Sequence, residues 1–153
     1  DGCSKGNLGL ASGGGCLRDQ YGDLIMAYST FFGSCTNNMA EARAILVGLI
    51  WCIDNGYKEV EIKSDSLILI NAINNQAGTP WQIAHLLEYI REMNQEGHIK
   101  FSHCYREANC TPDFLANWNL HRKSSTFFTE ANALRMRVRV ALKNDRNQLV
   151  NFR

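Results

Sequence analysis

No run of apolar residues in this 153-residue chain approaches the length of a membrane-spanning helix. No two of its six cysteines (Cys3, Cys16, Cys35, Cys52, Cys104, Cys110) stand in the C-x-x-C spacing of a zinc ribbon or a redox pair. The glycine run Gly13–Gly15 is not followed by G-K-[ST], which excludes a phosphate-binding P-loop. Internal repeats and low-complexity stretches are lacking too. A spanning helix, a cysteine-built metal centre and a P-loop nucleotide enzyme therefore drop out. The expectation is an intracellular chain, nuclear or cytoplasmic, with no secretory leader and with reduced thiols packed as small hydrophobes. With 45% hydrophobic and 20% charged residues, the chain has the composition of an ordinary globule with a core of its own.

A net charge of +1 conceals an uneven distribution. Residues 122–153 carry eight basic side chains (Arg122, Lys123, Arg135, Arg137, Arg139, Lys143, Arg146, Arg153) against Glu130 and Asp145, a balance of +6. The first 121 residues hold eight basic and thirteen acidic side chains, a balance of −5. An acidic body approaches a phosphate backbone only with help from metal ions or from a basic segment. The reading is one domain, 1–121, followed by a partly helical basic tail, 122–153, that is either a solvated amphipathic segment or a nucleic-acid contact.

Hydrophobic periodicity orders the elements. Gly2, Gly6, Gly9 and Gly13–Gly15 punctuate a loop that leads into a strand around Gly14–Arg18, and residues 18–23 read as a hairpin connection to a long apolar strand, Leu24–Phe32. Thr36–Gly56 is a helix with Met39, Ala42, Leu46, Leu49, Ile50 and Ile53 on one face, capped by Asn37 or Asn38 and closed at Gly56. Lys58–Lys63 alternates as a strand with Val60 and Ile62 inward. Helices follow at Leu67–Asn75 and Trp81–Gln95, the latter with Ile83, Leu86, Leu87, Ile90 and Met93 toward the core. His98–Tyr105 is a last strand, and Pro112 suits the first turn of a helix ending near His121. The order β-β-β-α-β-α-α-β-α predicts an α/β fold. Its five-stranded mixed sheet has three antiparallel strands, then two parallel ones, with helices on both faces.

Four acids fall at element ends: Asp1, Glu41, Asp65 and Asp113. Each has an ordinary structural explanation. Asp1-Gly2 suits a turn, Glu41 fits a capping box if Asn38 is the cap, Asp65 can cap the following helix, and Asp113 suits a helix N-terminus. Jointly they suit something else. If the first and fourth strands are neighbours, all four meet at one edge of the sheet. Carboxylates so gathered repel one another unless cations neutralise them, and oxygen donors favour a hard divalent ion. Two such ions about 3.5–4 Å apart catalyse phosphodiester displacement.

The segments D-G-C-S with Gly6-Asn7, T-N-N-M-A-E-A, I-K-S-D-S and H-C-Y-R-E-A-N-C-T-P-D-F-L-A-N, in that order, resemble the successive motifs of ribonuclease H. More narrowly they are similar to the ribonuclease H-like domains of plant non-LTR retroelement reverse transcriptases and their stand-alone relatives. The likeness runs from Asp1 to about His121. It implies a ribonuclease H-like fold and metal-dependent endonucleolytic hydrolysis of the RNA strand of an RNA–DNA hybrid, leaving a 5′-phosphate and a 3′-hydroxyl. It implies Asp1, Glu41, Asp65 and Asp113 as catalytic ligands of two Mg²⁺ ions, with Mn²⁺ as substitute. Gly2, Cys3, Ser4, Asn7, Thr36, Asn37, Asn38, Arg106 and Asn109 are the implied nucleic-acid contacts, the amides reaching 2′-hydroxyls and minor-groove edges. The chain is expected to act as a monomer or as part of a longer polypeptide, without membrane attachment.

Departures from that pattern point to reduced turnover, or to a non-catalytic binding or interaction module that keeps the fold. Cys3 replaces a small hydroxyl residue and Leu8 a frequent proline. The loop Glu107–Pro112 lacks the histidine of bacterial members, and His103 on the preceding strand reads as a packed residue. The basic protrusion of some bacterial members has no counterpart between Asn74 and Trp81. Other nucleases of this fold are excluded by motif: the first strand carries Asp1-Gly2-Cys3 rather than D-x-E, and the last acid is Asp113 rather than a late glutamate.

Overall fold

The computed structural model describes residues 1–146 apart from Asn7 and Glu96. β1 (Gly2–Ser4), β2 (Gly9–Arg18) and β3 (Leu24–Cys35) form an antiparallel meander. α1 (Asn37–Asp54), β4 (Val60–Ser64) and α2 (Leu67–Ile73) follow. A 3₁₀ turn at Trp81–Ile83 opens α3 (Ala84–Met93), which precedes β5 (Ile99–His103). A second 3₁₀ turn, Arg106–Ala108, leads into α4 (Cys110–Trp118), and then come β6 (Thr126–Phe128) and α5 (Met136–Arg146). β4 and β5 pair in parallel, so the helical segment between them is a crossover connection. The architecture is thus α/β, with antiparallel and parallel strands and packed helices. Among the described residues the hydrogen-bonded ladders form two pieces, β1-β2-β3-β6 and β4-β5. They adjoin where Asp1, before β1, comes close to Asp65, after β4. Among the described residues no helix is long and apolar enough to cross a membrane.

Local chemistry explains most of the boundaries. The Asp19 carboxylate accepts from the N–H groups of Tyr21 and Asp23, both at 2.9 Å, and Gly22 takes the left-handed φ of 82° that closes this hairpin. β2 starts earlier than the strand expected around Gly14–Arg18, and all of Gly13–Gly15 lie inside it. A Cβ on Gly13 would stand 2.8 Å from Cβ of Ala44 in α1, and one on Gly14 would stand 2.3 Å from the backbone nitrogen of Ala116 in α4. Successive strand residues face opposite sides of a sheet. The glycine run therefore lets α1 and α4 close onto the two faces of β2 at once.

α1 is capped by neither asparagine proposed for it. Thr36 is the cap, its Oγ1 accepting from the N–H of Met39 at 3.3 Å. The start of the helix shifts accordingly, and the buried face is Ala40, Glu41, Ala42, Ala44, Ile45, Leu49 and Cys52, with Ile53 exposed rather than inward. Gly56 follows the helix with φ 78°, the left-handed closure its sequence position suggested. The main core joins Ile45 and Leu49 to Leu69, Ile70 and Ile73 of α2, Ile83, Leu87 and Ile90 of the second helical segment, and Ile99 and Phe101 of β5.

Residues 122–146 are not a tail. β6 pairs with Ala27–Ser29 of β3 and extends the sheet. Phe128, Leu134, Val138 and Leu142 enter a second cluster with Ala27 and Leu115. The α5 end is tied down by Asp145, whose Oδ2 accepts from Arg18 Nη2 and from Thr111 Oγ1, each at 2.7 Å. Arg135 lies 4.5 Å from the ring centroid of Trp118. Trp118 is at the last turn of α4 and Thr111 at its first, so α5 runs antiparallel to α4. The basic tail of 122–153 is thus, as far as Arg146, part of the folded body. Residues 147–153 lie outside the described part. On α5 the buried positions are Val138, Ala141 and Leu142, and Arg137, Arg139 and Lys143 are exposed.

Candidate metal centre

Asp1 immediately precedes β1, Asp65 immediately follows β4, and Glu41 comes from α1, which crosses over β1. One carboxylate oxygen of each lies within 4.8 Å of the others. The convergence is possible because small residues let α1 settle on the strands: Ala40, Ala42 and Ala44 are fully buried, and Gly2 lies directly beneath the Ala40–Glu41 peptide. Two of the ordinary explanations fail here. With Thr36 as cap, Glu41 is the fifth helical residue and takes no part in a capping box. Asp65 does not cap α2, whose cap position is Ser66.

Glu41 is 6% exposed, and its Oε2 is buried with no hydrogen-bond partner. Burial pushes its carboxyl above the ordinary value of 4.5; Asp65 adds to the rise, and a backbone hydrogen bond from Gly2 and the Arg106 guanidinium oppose it. The Asp1 backbone nitrogen donates to the Gly14 carbonyl at 2.9 Å. A buried, unpartnered carboxylate oxygen beside two further carboxylates is costly unless a cation satisfies it. The donor set is all oxygen, which suits a hard divalent ion. The three carboxylates would hold one such ion once their side chains draw together around it.

The remaining candidates divide. Asp113 sits in the first turn of α4 and is not part of the three-carboxylate group; the Asn117 amide donates to its Oδ1 at 3.4 Å. Arg106 Nε stands 3.9 Å from Asp65 Oδ2 with its side chain largely exposed. Gly2 is buried against Glu41 and serves packing. Cys3 Sγ is 3.3 Å from Ser12 Oγ, and Ser4 Oγ donates to the carbonyls of Gly6 and Cys35 at 2.7 and 2.8 Å. Thr36 is engaged as the α1 cap, Asn37 is exposed, and Asn38 is half-buried beside it. Asn109 is 3% exposed and its Nδ2 lacks a partner, which places it among interior groups rather than on an open surface. Asn7 lies outside the described residues. His103, expected to be packed, is exposed at the end of β5, edge-on to Tyr105 at 5.6 Å. Sequence reasoning missed Asp145, whose one signal was an isolated acid within a basic run.

Solved structures with the same arrangement of elements are ribonucleases H. LC11-RNase H1, isolated from compost by a metagenomic approach, superposes with a TM-score of 0.75 at 27% identity, over 80% of this chain and 92% of that one. A second structure of LC11-RNase H1, in complex with an RNA/DNA hybrid, gives the same TM-score at 26% identity, over 80% and 94%. RNase H1 of the halophilic archaeon Halobacterium salinarum gives 0.69 at 28% identity, over 80% and 94%. The fold is therefore ribonuclease H-like. In sequence, 119 residues are 32% identical to the Arabidopsis thaliana "Putative ribonuclease H protein", covering 77% of this chain and 19% of that protein, so the match spans about a fifth of the relative. Residues 1–119 match the reverse transcriptase-like family, and the chain belongs to it. It is a ribonuclease H-like domain of the plant type, as its motifs implied.

Proposed function

We propose that the chain is a metal-dependent endonuclease that hydrolyses the RNA strand of RNA–DNA hybrids. The observation that carries this reading is the meeting of Asp1, Glu41 and Asp65 around a buried carboxylate oxygen with no protein partner. The relatives' naming as ribonucleases H, and the hybrid bound to one of them, support the choice of substrate.

Asp1, Glu41 and Asp65 would hold one ion between them, and Asp113, in the first turn of α4, is the candidate ligand of a second. When bound, two Mg²⁺ ions lower the pKa of a water and stabilise the leaving oxygen of the phosphodiester. The chain's own contribution is positional. The rigid seating of α1 on β1 fixes Glu41, and β4 delivers Asp65 at its C-terminal end. Arg106 stands beside Asp65, and Asn37 and Asn38, exposed and half-buried, lie about one helical turn before Glu41; these are the side chains that would touch the hybrid. Hydrogen bonds from the amides to 2′-hydroxyls distinguish RNA from DNA. The exposed Arg137, Arg139 and Lys143 of α5 supply a further electrostatic contact to phosphates.

A weaker or inactive, hybrid-binding version of the same domain is the second reading, favoured by the position of Asp113 outside the three-carboxylate group. Cleavage of a labelled hybrid with Mg²⁺ or Mn²⁺ separates the two. Asp65→Asn removes a ligand charge with little change in volume, so cleavage should disappear while the circular dichroism spectrum stays unchanged. Wild-type cleavage that persists in EDTA would refute a metal-dependent mechanism.

A further inference from the structure

Asp65 has two competing claims on it. Its carboxylate belongs to the three-acid group, and its Oδ2 is also paired with Arg106 Nε at 3.9 Å. The Arg106 side chain is 65% exposed, against 15% for Asp65. The backbone around it is fixed: the Arg106 carbonyl accepts from the N–H of Asn109 at 3.0 Å, and that of Tyr105 accepts from Ala108 at 2.9 Å. Arg106 is therefore a charged arm hinged on a rigid turn, with room to move its head but not its base. Its planar fork presents five N–H donors.

We infer that Arg106 is a resident counter-cation of the acid cluster, which must leave Asp65 when a divalent ion arrives, and which then binds a phosphate of the incoming strand. The inference rests on the nuclease reading above. The physical case has three parts. A hard ion sits about 2.1 Å from each ligand oxygen, and a guanidinium on the same carboxylate repels it and occupies part of its approach. The displaced head reaches solvent at the rim of the site, where its planar fork matches a phosphate in two-point contact. A hybrid that rewards the displaced position consequently favours ion entry, and by reciprocity the ion favours the hybrid.

The test measures binding, without turnover. Mn²⁺ is titrated into the whole chain by electron paramagnetic resonance, for wild type, Arg106→Gln and Arg106→Lys, with and without a hybrid whose RNA strand carries non-hydrolysable linkages. Without hybrid, Arg106→Gln should bind Mn²⁺ roughly two- to fivefold more tightly at low salt, the effect of one partly exposed charge pair. With hybrid, the wild type should gain ion affinity and the Gln variant should gain less, while Lys lies between. Equal or weaker ion binding by Arg106→Gln in the free protein would overturn the exchange while leaving the nuclease reading intact. Failure of all three proteins to bind Mn²⁺ would overturn both together.

Discussion

Gly2 and Glu41 stand in contact through their backbones: a Cβ added to Gly2 would lie 2.3 Å from the amide nitrogen of Glu41 and 2.3 Å from the carbonyl carbon of Ala40. Backbone atoms cannot swing aside as a flexible side chain does, so α1 as a whole would have to lift. Gly2→Ala should cost about 1–3 kcal/mol, the usual penalty of overpacking. Because the lifted element carries Glu41, divalent-ion affinity should fall further than stability predicts. Parallel thermal melts with and without Mg²⁺ measure both. A variant that melts lower but keeps the full ion-induced rise would show that α1 and β1 can separate without moving the site.

Glu41 should oppose folding when no ion is bound. Burial raises its pKa, so the folded state holds a proton that the unfolded state releases once pH exceeds the ordinary value of 4.5. Its contribution to stability is therefore greatest at acid pH, falls as pH rises through the interval between the ordinary and the raised value, and stays low above it. Glu41→Gln removes the charge and should stabilise the ion-free protein by about 1 kcal/mol at neutral pH. The same change should abolish stabilisation by Mg²⁺. Denaturant titrations in EDTA across pH 4–8 would show the wild type and variant converging at the acid end. Curves that stay parallel throughout would refute this account.

Much of this was legible in the sequence, and for physical reasons. α3 could be read because Ile83, Leu87 and Ile90 recur at helical spacing and all three are fully buried. The positions of Glu41 and Asp65 followed from where apolar periodicity stops. Thr36 was harder, since Thr36, Asn37 and Asn38 are all competent caps and the choice depends on where β3 releases the chain. The strand is legible only from Gly14 onward because glycine is a poor strand former; the close approach of α1 to Gly13 and α4 to Gly14, and of the Tyr28 ring to Gly15, explains the run. β6 is three residues long, too short to show alternation, and is held by tertiary contact, including Phe127 stacked on Tyr28 at 5.9 Å. Asp145 resembled a solvated charge because its partners, Arg18 and Thr111, are far away in sequence.

Asp113 and Asp65 should differ when each is replaced by asparagine. Asp65 belongs to the three-carboxylate group and Asp113 does not. Asp65→Asn should lose measurable ion binding in the free protein. Asp113→Asn should keep one ion with nearly unchanged affinity and lose activity by at least tenfold, since its proposed role begins when the second ion and substrate are in place. Calorimetric titration with Mg²⁺ alongside single-turnover cleavage separates these effects. Equal loss of ion binding in both variants would mean that Asp113 reaches the first ion.

Asp145 should be a stability residue with no direct part in chemistry. Its side chain is 5% exposed and serves both Arg18 and Thr111. Asp145→Ala leaves the Arg18 guanidinium partly buried without its counter-charge. The expected loss is about 2–4 kcal/mol, below the full value for a completely buried pair because Arg18 retains some access to water. Chemical denaturation measures it. A loss under about 0.5 kcal/mol would show that α5 is held by its apolar contacts alone.

The basic segment calls for two manipulations that should give opposite results. Deleting residues 122–153 removes Phe128, Leu134, Val138 and Leu142 from the cluster around Leu115. That loss of buried apolar surface should cost more than about 3 kcal/mol, so weak hybrid binding by the truncated chain would say nothing about phosphate contacts. Arg139→Gln with Lys143→Gln leaves the packing intact, because both side chains are exposed on α5. If these residues meet phosphates, the double variant should melt within about 0.5 kcal/mol of wild type. Its hybrid affinity should fall, and the slope of log affinity against log salt should drop by about one to two. An unchanged slope would confine the phosphate contacts to the neighbourhood of the acids, and the positive balance of this segment would then serve only to offset the acidic body.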